Sequence, residues 1–255
     1  MRQAVEEALA RTHKLVFPLK IDGRQVFVKR GRPEKNPFGR SAQRLLYRLT
    51  GNPILIPTDP PIGNGVAQEA DRLRRLAAAG LNVPEVLCET EDYFVMAHTG
   101  ETVHKYLKRR WDERERFVER TARELRRLHD LGFAHGASQI KNLTLMGDTM
   151  YFIDFEENIP PEYVREFQVR DLFLLLHSFE RHWHDPDLLR FCQSYGGDDG
   201  GETFSRLRGP ILGLKAVKLA DSTLLRKWRM RDIRSLSNLV GKAAALANND
   251  DAERS

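Results

Sequence analysis

Two residues near the middle of the chain are of the right types and spacing to share a cation. Asn142 closes a polar loop that opens at His135. Asp154 ends a short β-rich run twelve residues later, in the stretch His135 to Glu157, HGASQIKNLTLMGDTMYFIDFEE. Gly147-Asp148 signals a turn between the two apolar arms, so the Asn and the Asp stand on opposite sides of one predicted hairpin and can converge. An amide oxygen and a carboxylate brought together suit Mg²⁺ held beside phosphates, since hard oxygen donors match that hard cation. A surface hairpin with an Asx turn explains the same residues without chemistry, and the stretch alone does not choose. A second pair lies upstream. Lys29 shares one face of a predicted strand with Gln25 and Phe27, opposite Val26 and Val28; Glu69 sits beside the apolar stripe of a predicted helix. A carboxylate so close to a buried stripe needs a cationic partner, and Lys29 is the leading candidate. A solvated lysine on an edge strand is the alternative.

The elements that must position these four residues follow from the pattern. Residues 2–13 read as a helix and 14–30 as a hairpin turning at Asp22-Gly23. Residues 31–65 are rich in Pro and Gly and hold a basic amphipathic patch. In it Phe38, Ala42, Leu45, Leu46 and Leu49 share one helical face, and Arg40, Arg44 and Arg48 share another. Such a helix either lies on an anionic surface or packs on its own domain. Pro53 to Pro61 reads as a loop, and residues 66–80 as a helix carrying Val66, Ala70, Leu73 and Leu76 on one face and ending at Gly80. Strands are predicted at Val83–Leu87 and Tyr93–Met96. Ala97-His98-Thr99-Gly100 then breaks the pattern and reads as a hinge. Beyond it the chain is mainly helical, over 102–110, 113–131, 165–184, 186–195 and 203–238, with a frayed tail at 241–255. The division expected is residues 1–97 with the basic insert 31–65, residues 98–240, and the flexible tail 241–255.

Composition narrows the field without choosing within it. The 255 residues are 41% hydrophobic and 30% charged, an ordinary globular make-up. A formal charge of +5 favours anionic partners: nucleotides, phosphosugars, RNA or an anionic membrane surface. Cys88 and Cys192 match no metal or redox spacing and read as two reduced thiols. No apolar run approaches the ~18 residues of a membrane span, and residues 1–15 lack the apolar core of a signal peptide. A cytoplasmic location follows as the expectation, with the inner face of the cytoplasmic membrane as its variant. His177, His182 and His184, with Asp185 and Asp187 nearby, have metal-capable spacing but also suit an exposed helix. The basic run Lys215 to Arg234, with Trp228 inside it, suits RNA or lipid headgroups, or a solvated helix.

In order, the features are a strand with Lys29, a helix with Glu69, a hinge, a His135 loop ending at Asn142, a hairpin, and Asp154-Phe155. That order resembles the protein-kinase-like fold, over roughly residues 14–195. The resemblance implies an α+β, two-lobed architecture, with an antiparallel N-lobe sheet plus one main helix and a mostly helical C-lobe. It implies that Lys29 contacts ATP phosphates, that Glu69 orients Lys29, and that Asn142 and Asp154 bind Mg²⁺. Val95, Met96 and Ala97 would flank the adenine, and Asp171 would brace the loop after His135. The small size, the His135-Gly136 start of the loop, and EADRLRRLAAAGLNVPEVL from Glu69 are similar to the bacterial lipopolysaccharide Kdo and heptose kinases. They are also similar to the small atypical kinase of the tRNA threonylcarbamoyladenosine machinery. The expected activity is phosphoryl transfer to a sugar hydroxyl of lipopolysaccharide core, a related anionic glycolipid or a phosphosugar. The basic insert supports this and also peripheral membrane association; nucleic acid is the less favoured partner.

Three departures from the kinase pattern qualify that expectation. No Gly-x-Gly-x-x-Gly precedes Lys29, so other backbone amides must cover the phosphates. Glu156 follows Asp154-Phe155 where the pattern has Gly. Most consequential, the position of the catalytic Asp, two residues after His135, is Ala137, which cannot accept a proton. Either Glu156 substitutes as the base, with Ser138 and Gln139 only orienting an acceptor, or the chain is a pseudokinase acting as a nucleotide-binding regulatory or interaction module.

Overall fold

The computed structural model describes residues 1–31, 37–183, 188–196, 206–213 and 238. The basic run Lys215 to Arg234, the tail 241–255, and His184, Asp185 and Asp187 lie outside them; of the predicted helix 203–238, residues 206–213 and 238 are described, and they are helical. The chain forms two compact units that interleave in sequence. The first comprises Met1–Gly39, Thr58–Tyr106 and Lys141–Asn158; the second comprises Arg40–Pro57, Leu107–Ile140 and Ile159–Ser255. The architecture is the expected α+β class.

The first unit is built on an antiparallel sheet. Helix α1 (Arg2–Arg11) precedes β1 (Val16–Ile21) and β2 (Arg24–Arg30), which pair in register from Val16↔Lys29 to Ile21↔Arg24. The connection is the two-residue turn Asp22-Gly23, with both residues at positive φ (49° and 78°). That is the backbone twist that lets a two-residue hairpin match its strands, and glycine at the second position takes it without a Cβ clash. After α3 (Val66–Ala78) come β3 (Val86–Glu89) and β4 (Tyr93–Ala97), and the sheet order is β1-β2-β4-β3. The predicted strand Val83–Leu87 begins three residues later and ends two later than expected. Its pairing slips between Val86 and Cys88, an irregularity that strict alternation does not reveal. Val26 and Val28 face α1 and bury with Val5, Phe17, Ile21, Tyr93 and Val95. Burying a branched or aromatic side chain contributes about 1.5–3 kcal/mol.

Helix α3 is punctuated at both ends. Asn64 Oδ1 accepts from the Val66 N–H at 3.1 Å, and Leu81 N–H reaches back to the Leu76 carbonyl at 3.0 Å past Gly80. The strand β5 (Glu101–Thr102), which the pattern did not announce, joins β6 (Leu143–Met146) and β7 (Thr149–Phe152) in a second small sheet. There Gly100 is held at φ 90°, and a Cβ would stand 1.8 Å from the Leu145 carbonyl oxygen.

The second unit is helical. It holds α2 (Pro37–Thr50, from residue 40), α5 (Arg114–Asp130), α6 (Val164–Trp183) and α7 (Leu188–Gly196); the short α4 (Val103–Leu107) precedes α5. Pro53–Leu55, read as loop, is one 3₁₀ turn capped by Asn52, whose Oδ1 accepts from the Ile54 N–H. Tyr47 packs against the buried cluster Ile56, Ala134 and Phe167, and Gln43 donates to the Ile56 carbonyl. Leu45 and Leu49 of the apolar stripe do not supply this packing: they are 58% and 73% exposed, beside exposed Arg44 and Arg48. Periodicity identified the helix but not the face that turns inward.

Candidate functional site

Strand β2 is central, flanked by β1 and β4, so Lys29 is not an edge residue. Its side chain points to the face opposite Val26 and Val28 and is almost wholly buried. The Lys29 ammonium lies 2.7 Å from Glu69 Oε1 on α3 and 2.6 Å from Asp154 Oδ1 just beyond β7. Glu156 Oε2 stands 3.7 Å away. Three segments far apart in sequence thus meet within the first unit. Burial disfavours the Lys29 charge, but the charges and hydrogen bonds of Glu69 and Asp154 outweigh it, and the ammonium is held above its ordinary range. Burial pushes the Glu69 carboxyl up against the pull of Lys29, and the charges of Asp154 and Glu156 add to the rise. A single cation thus faces three carboxylates.

Asp154 is held at φ 70°, a left-handed conformation uncommon for a residue with a side chain. Arg72, on α3 three residues after Glu69, grips the segment that follows. Its guanidinium lies 5.4 Å from the Phe155 ring centroid and donates to the carbonyls of Phe155 (3.4 Å) and Glu157 (2.5 Å). Asn142 ends a 3₁₀ turn before β6 and is buried; its carbonyl accepts from the Ile153 N–H at 2.9 Å. The predicted hairpin therefore does place Asn142 and Asp154 at the same end of one ladder. Val95 is buried in the sheet, Met96 and Ala97 are half-buried, and the Ala97 N–H is taken by the Glu85 carbonyl. On the Lys29 face of β2, the Phe27 ring stacks on His98 at 5.7 Å between centroids.

The site's chemistry suits a hard divalent cation. The oxygens gathered with Asp154 around Lys29 are those of carboxylates. Negative charge exceeds positive, and the side chains of Asp154 and Glu156 keep 32% and 22% exposure, whereas Lys29 keeps 6%. The Asp22-Gly23 turn is too tight to form a glycine-rich cradle.

In the second unit the loop from His135 is braced by Asp171 on α6. Its carboxylate accepts from the backbone N–H groups of His135 (2.5 Å), Gly136 (2.8 Å) and Ser138 (3.3 Å). His129 links this brace to α7, with Nε2 3.4 Å from Asp171 and Nδ1 2.7 Å from the Tyr195 hydroxyl. Burial alone would raise the Asp171 carboxyl; the His129 hydrogen bond, the charges of His129 and His135, and the His135 N–H bring it below the ordinary carboxylate range. Burial pushes the Tyr195 phenol up to about 12. Ala137 presents only a methyl group, and its N–H meets His135 Nδ1 at 3.3 Å. The Ser138 hydroxyl is buried with no hydrogen-bond partner among the described residues. His177 stacks on Phe173, and no group of three or more His, Cys, Asp or Glu is poised for a metal among the described residues.

Residues 61–190 match the RIO domain, a span that takes in Glu69, Asn142, Asp154 and Asp171 and begins after Lys29. The chain belongs to the RIO domain family. RIO domains are atypical kinase-like domains, so the kinase-like superfamily read from the motif order stands at that level. This RIO-domain chain is also similar to the KEOPS complex subunit Bud32 of Pyrococcus abyssi (strain GE5 / Orsay). The two are 28% identical over 152 residues, covering 55% of this chain and 69% of that protein. Among the described residues, no helix is long and apolar enough to cross a membrane.

Motif reading missed Arg72, Gly100 and the His129–Tyr195 link. Arg72 alone carried a signal, one helical turn from Glu69 in an arginine-rich helix. The others depend on which strand or helix lies alongside.

Proposed function

We propose that this RIO-domain chain binds Mg-ATP through the cluster around Lys29 and transfers the γ-phosphoryl group to a sugar hydroxyl of an anionic glycolipid, lipopolysaccharide core being the acceptor the sequence favours. The observation that carries the reading is the buried Lys29 ammonium shared by Glu69 and Asp154. Lys29 holds phosphate oxygens, Glu69 keeps it in place, and Asn142 and Asp154 are the residues that would hold Mg²⁺. The ion, when bound, neutralises charge on the phosphates. With alanine at 137, the acceptor proton goes to the Glu156 carboxylate as the acceptor oxygen bonds to phosphorus and the bond to the leaving ADP oxygen breaks. The acceptor reading rests on α2, whose exposed arc sets Arg44 and Arg48 beside Leu45 and Leu49, a combination suited to an anionic lipid surface.

Ala137 favours a second reading, a pseudokinase that binds nucleotide and acts as a regulatory or interaction module. The relative from Pyrococcus abyssi is named as a subunit of a complex, which supports a partner-bound role. One experiment separates the two. The full chain is incubated with γ-labelled ATP and Mg²⁺, with and without lipopolysaccharide core, beside thermal-shift measurements. The expected result is a Mg-ATP-dependent rise in Tm that Lys29→Met abolishes, together with label in the core that Glu156→Gln removes. A Tm rise without label in any acceptor sinks the transfer reading and leaves the pseudokinase. No Tm rise in the unmodified chain sinks both.

A further inference from the structure

Arg72 belongs to no motif, yet its guanidinium stacks on Phe155 and donates to two carbonyls of the segment that carries Asp154. We propose that Arg72 is a positioning residue that locks Asp154 in its left-handed, Lys29-facing conformation, so that α3 sets both carboxylates around Lys29 as one rigid piece. The clamp stands on geometry alone; its effect on a metal rests on the nucleotide reading above.

The argument starts at Asp154. A positive φ at a non-glycine residue is uphill and persists only where the flanking chain is pinned. Upstream, the ladder of β7 pins it through Phe152 and the Ile153 N–H. Downstream there is no helix or ladder until the isolated bridge between Asn158 and Asp59, and Arg72 fills that gap. One guanidinium nitrogen, Nη1, donates to the carbonyls of Phe155 and Glu157, two residues apart, while the flat face of the group covers the Phe155 ring. Guanidinium is suited to this because its donors lie in the plane and its face is free to stack; an ammonium offers no such face. The intervening Glu156 directs its carboxylate toward Lys29. Arg72 stands three residues from Glu69, so both project from neighbouring positions on one helix. A shift of α3 would therefore move Glu69 on Lys29 and the Asp154 segment together.

The test uses the full chain with Arg72→Met and Arg72→Lys. Hydrogen exchange at residues 155–158 reads the clamp without any ligand. The Mg²⁺ concentration giving half the ATP-induced rise in Tm reads its effect on Asp154, and the ATP-induced rise in EDTA serves as the control. In Arg72→Met, exchange at 155–158 should accelerate about tenfold or more while β1 and β2 keep their wild-type rates. The Mg²⁺ midpoint should rise by about fivefold or more, with the EDTA response unchanged. Arg72→Lys should fall between the two, and it carries the test if Arg72→Met does not fold. Unchanged exchange at 155–158 overturns the proposal. An unchanged Mg²⁺ midpoint in a chain that responds to Mg-ATP also overturns it. If the unmodified chain shows no Mg-ATP response, the nucleotide reading fails and the exchange measurement alone decides the clamp.

Discussion

Asp171 shows how one residue can hold a loop in shape. Three backbone N–H groups converge on a carboxylate with no exposure, which water would otherwise have to solvate. Asn at this position offers one acceptor oxygen in place of two and no charge. Asp171→Asn should lower stability by about 2–4 kcal/mol in urea denaturation. The carboxyl is depressed below its ordinary value of ~3.9, so its contribution is complete above that pH and is lost as pH falls through the lower folded-state value. The stability curves of the two proteins should therefore converge as acid is added. A constant gap down to the acid limit would mean that the charge on Asp171 plays no part. Lys29 differs in kind. It is held by carboxylates from two other segments, and their excess negative charge makes the site receptive to a cation.

At the level of elements, caps and turns were readable because they are local. The Asp22-Gly23 turn and the Gly80 terminus of α3 fall where residue type alone puts them. The β5–β6 contact was not readable, because two residues of strand carry no periodicity, and Gly100 looked only like a hinge glycine. Its reason is a close approach. Gly100→Ala would drive a methyl group into the Leu145 carbonyl at a positive φ. The expected loss is about 2–4 kcal/mol, read as a lower denaturation midpoint with unchanged slope. A variant of wild-type stability would mean that β5 can move away from β6 at no cost. Helix α2 teaches the converse. Its heptad-like stripe was correct as a helix signal, but Tyr47 and Gln43 face the cluster inside the second unit and Leu45 and Leu49 face outward.

On the scale of the whole molecule, family membership and kinase-like architecture rest on the RIO-domain match and the α+β elements, while the proposed phosphoryl transfer is tested most directly at position 137. The Asp171 brace is formed around His135, Gly136 and Ser138, on either side of Ala137, so a substitution at 137 would enter a loop whose backbone is already held. Ala137→Asp should raise label transfer by about 10²–10⁴-fold if a proton acceptor is the only missing part. Transfer that stays at background in this variant, in a chain still stabilised by Mg-ATP, would place the defect elsewhere.

Sequence alone determined the order of the chemical groups and the local geometry that presents them. Lys29 lies on the strand face opposite Val26 and Val28, Glu69 beside a helical stripe, and Asn142 and Asp154 at one end of a hairpin. These are short-range properties, set by periods of two and 3.6 residues and by turn chemistry. Only the tertiary structure decided that β2 is central, which buries Lys29, and that the lysine gathers Glu69 and Asp154, 40 and 125 residues away. It also decided that Arg72 closes over the Asp154 segment and that Leu45 and Leu49 of α2 point outward. Such pairings depend on strand order and on which helix packs where. No local pattern encodes them, because the energy that selects them is that of burying charged and apolar groups together in one fold.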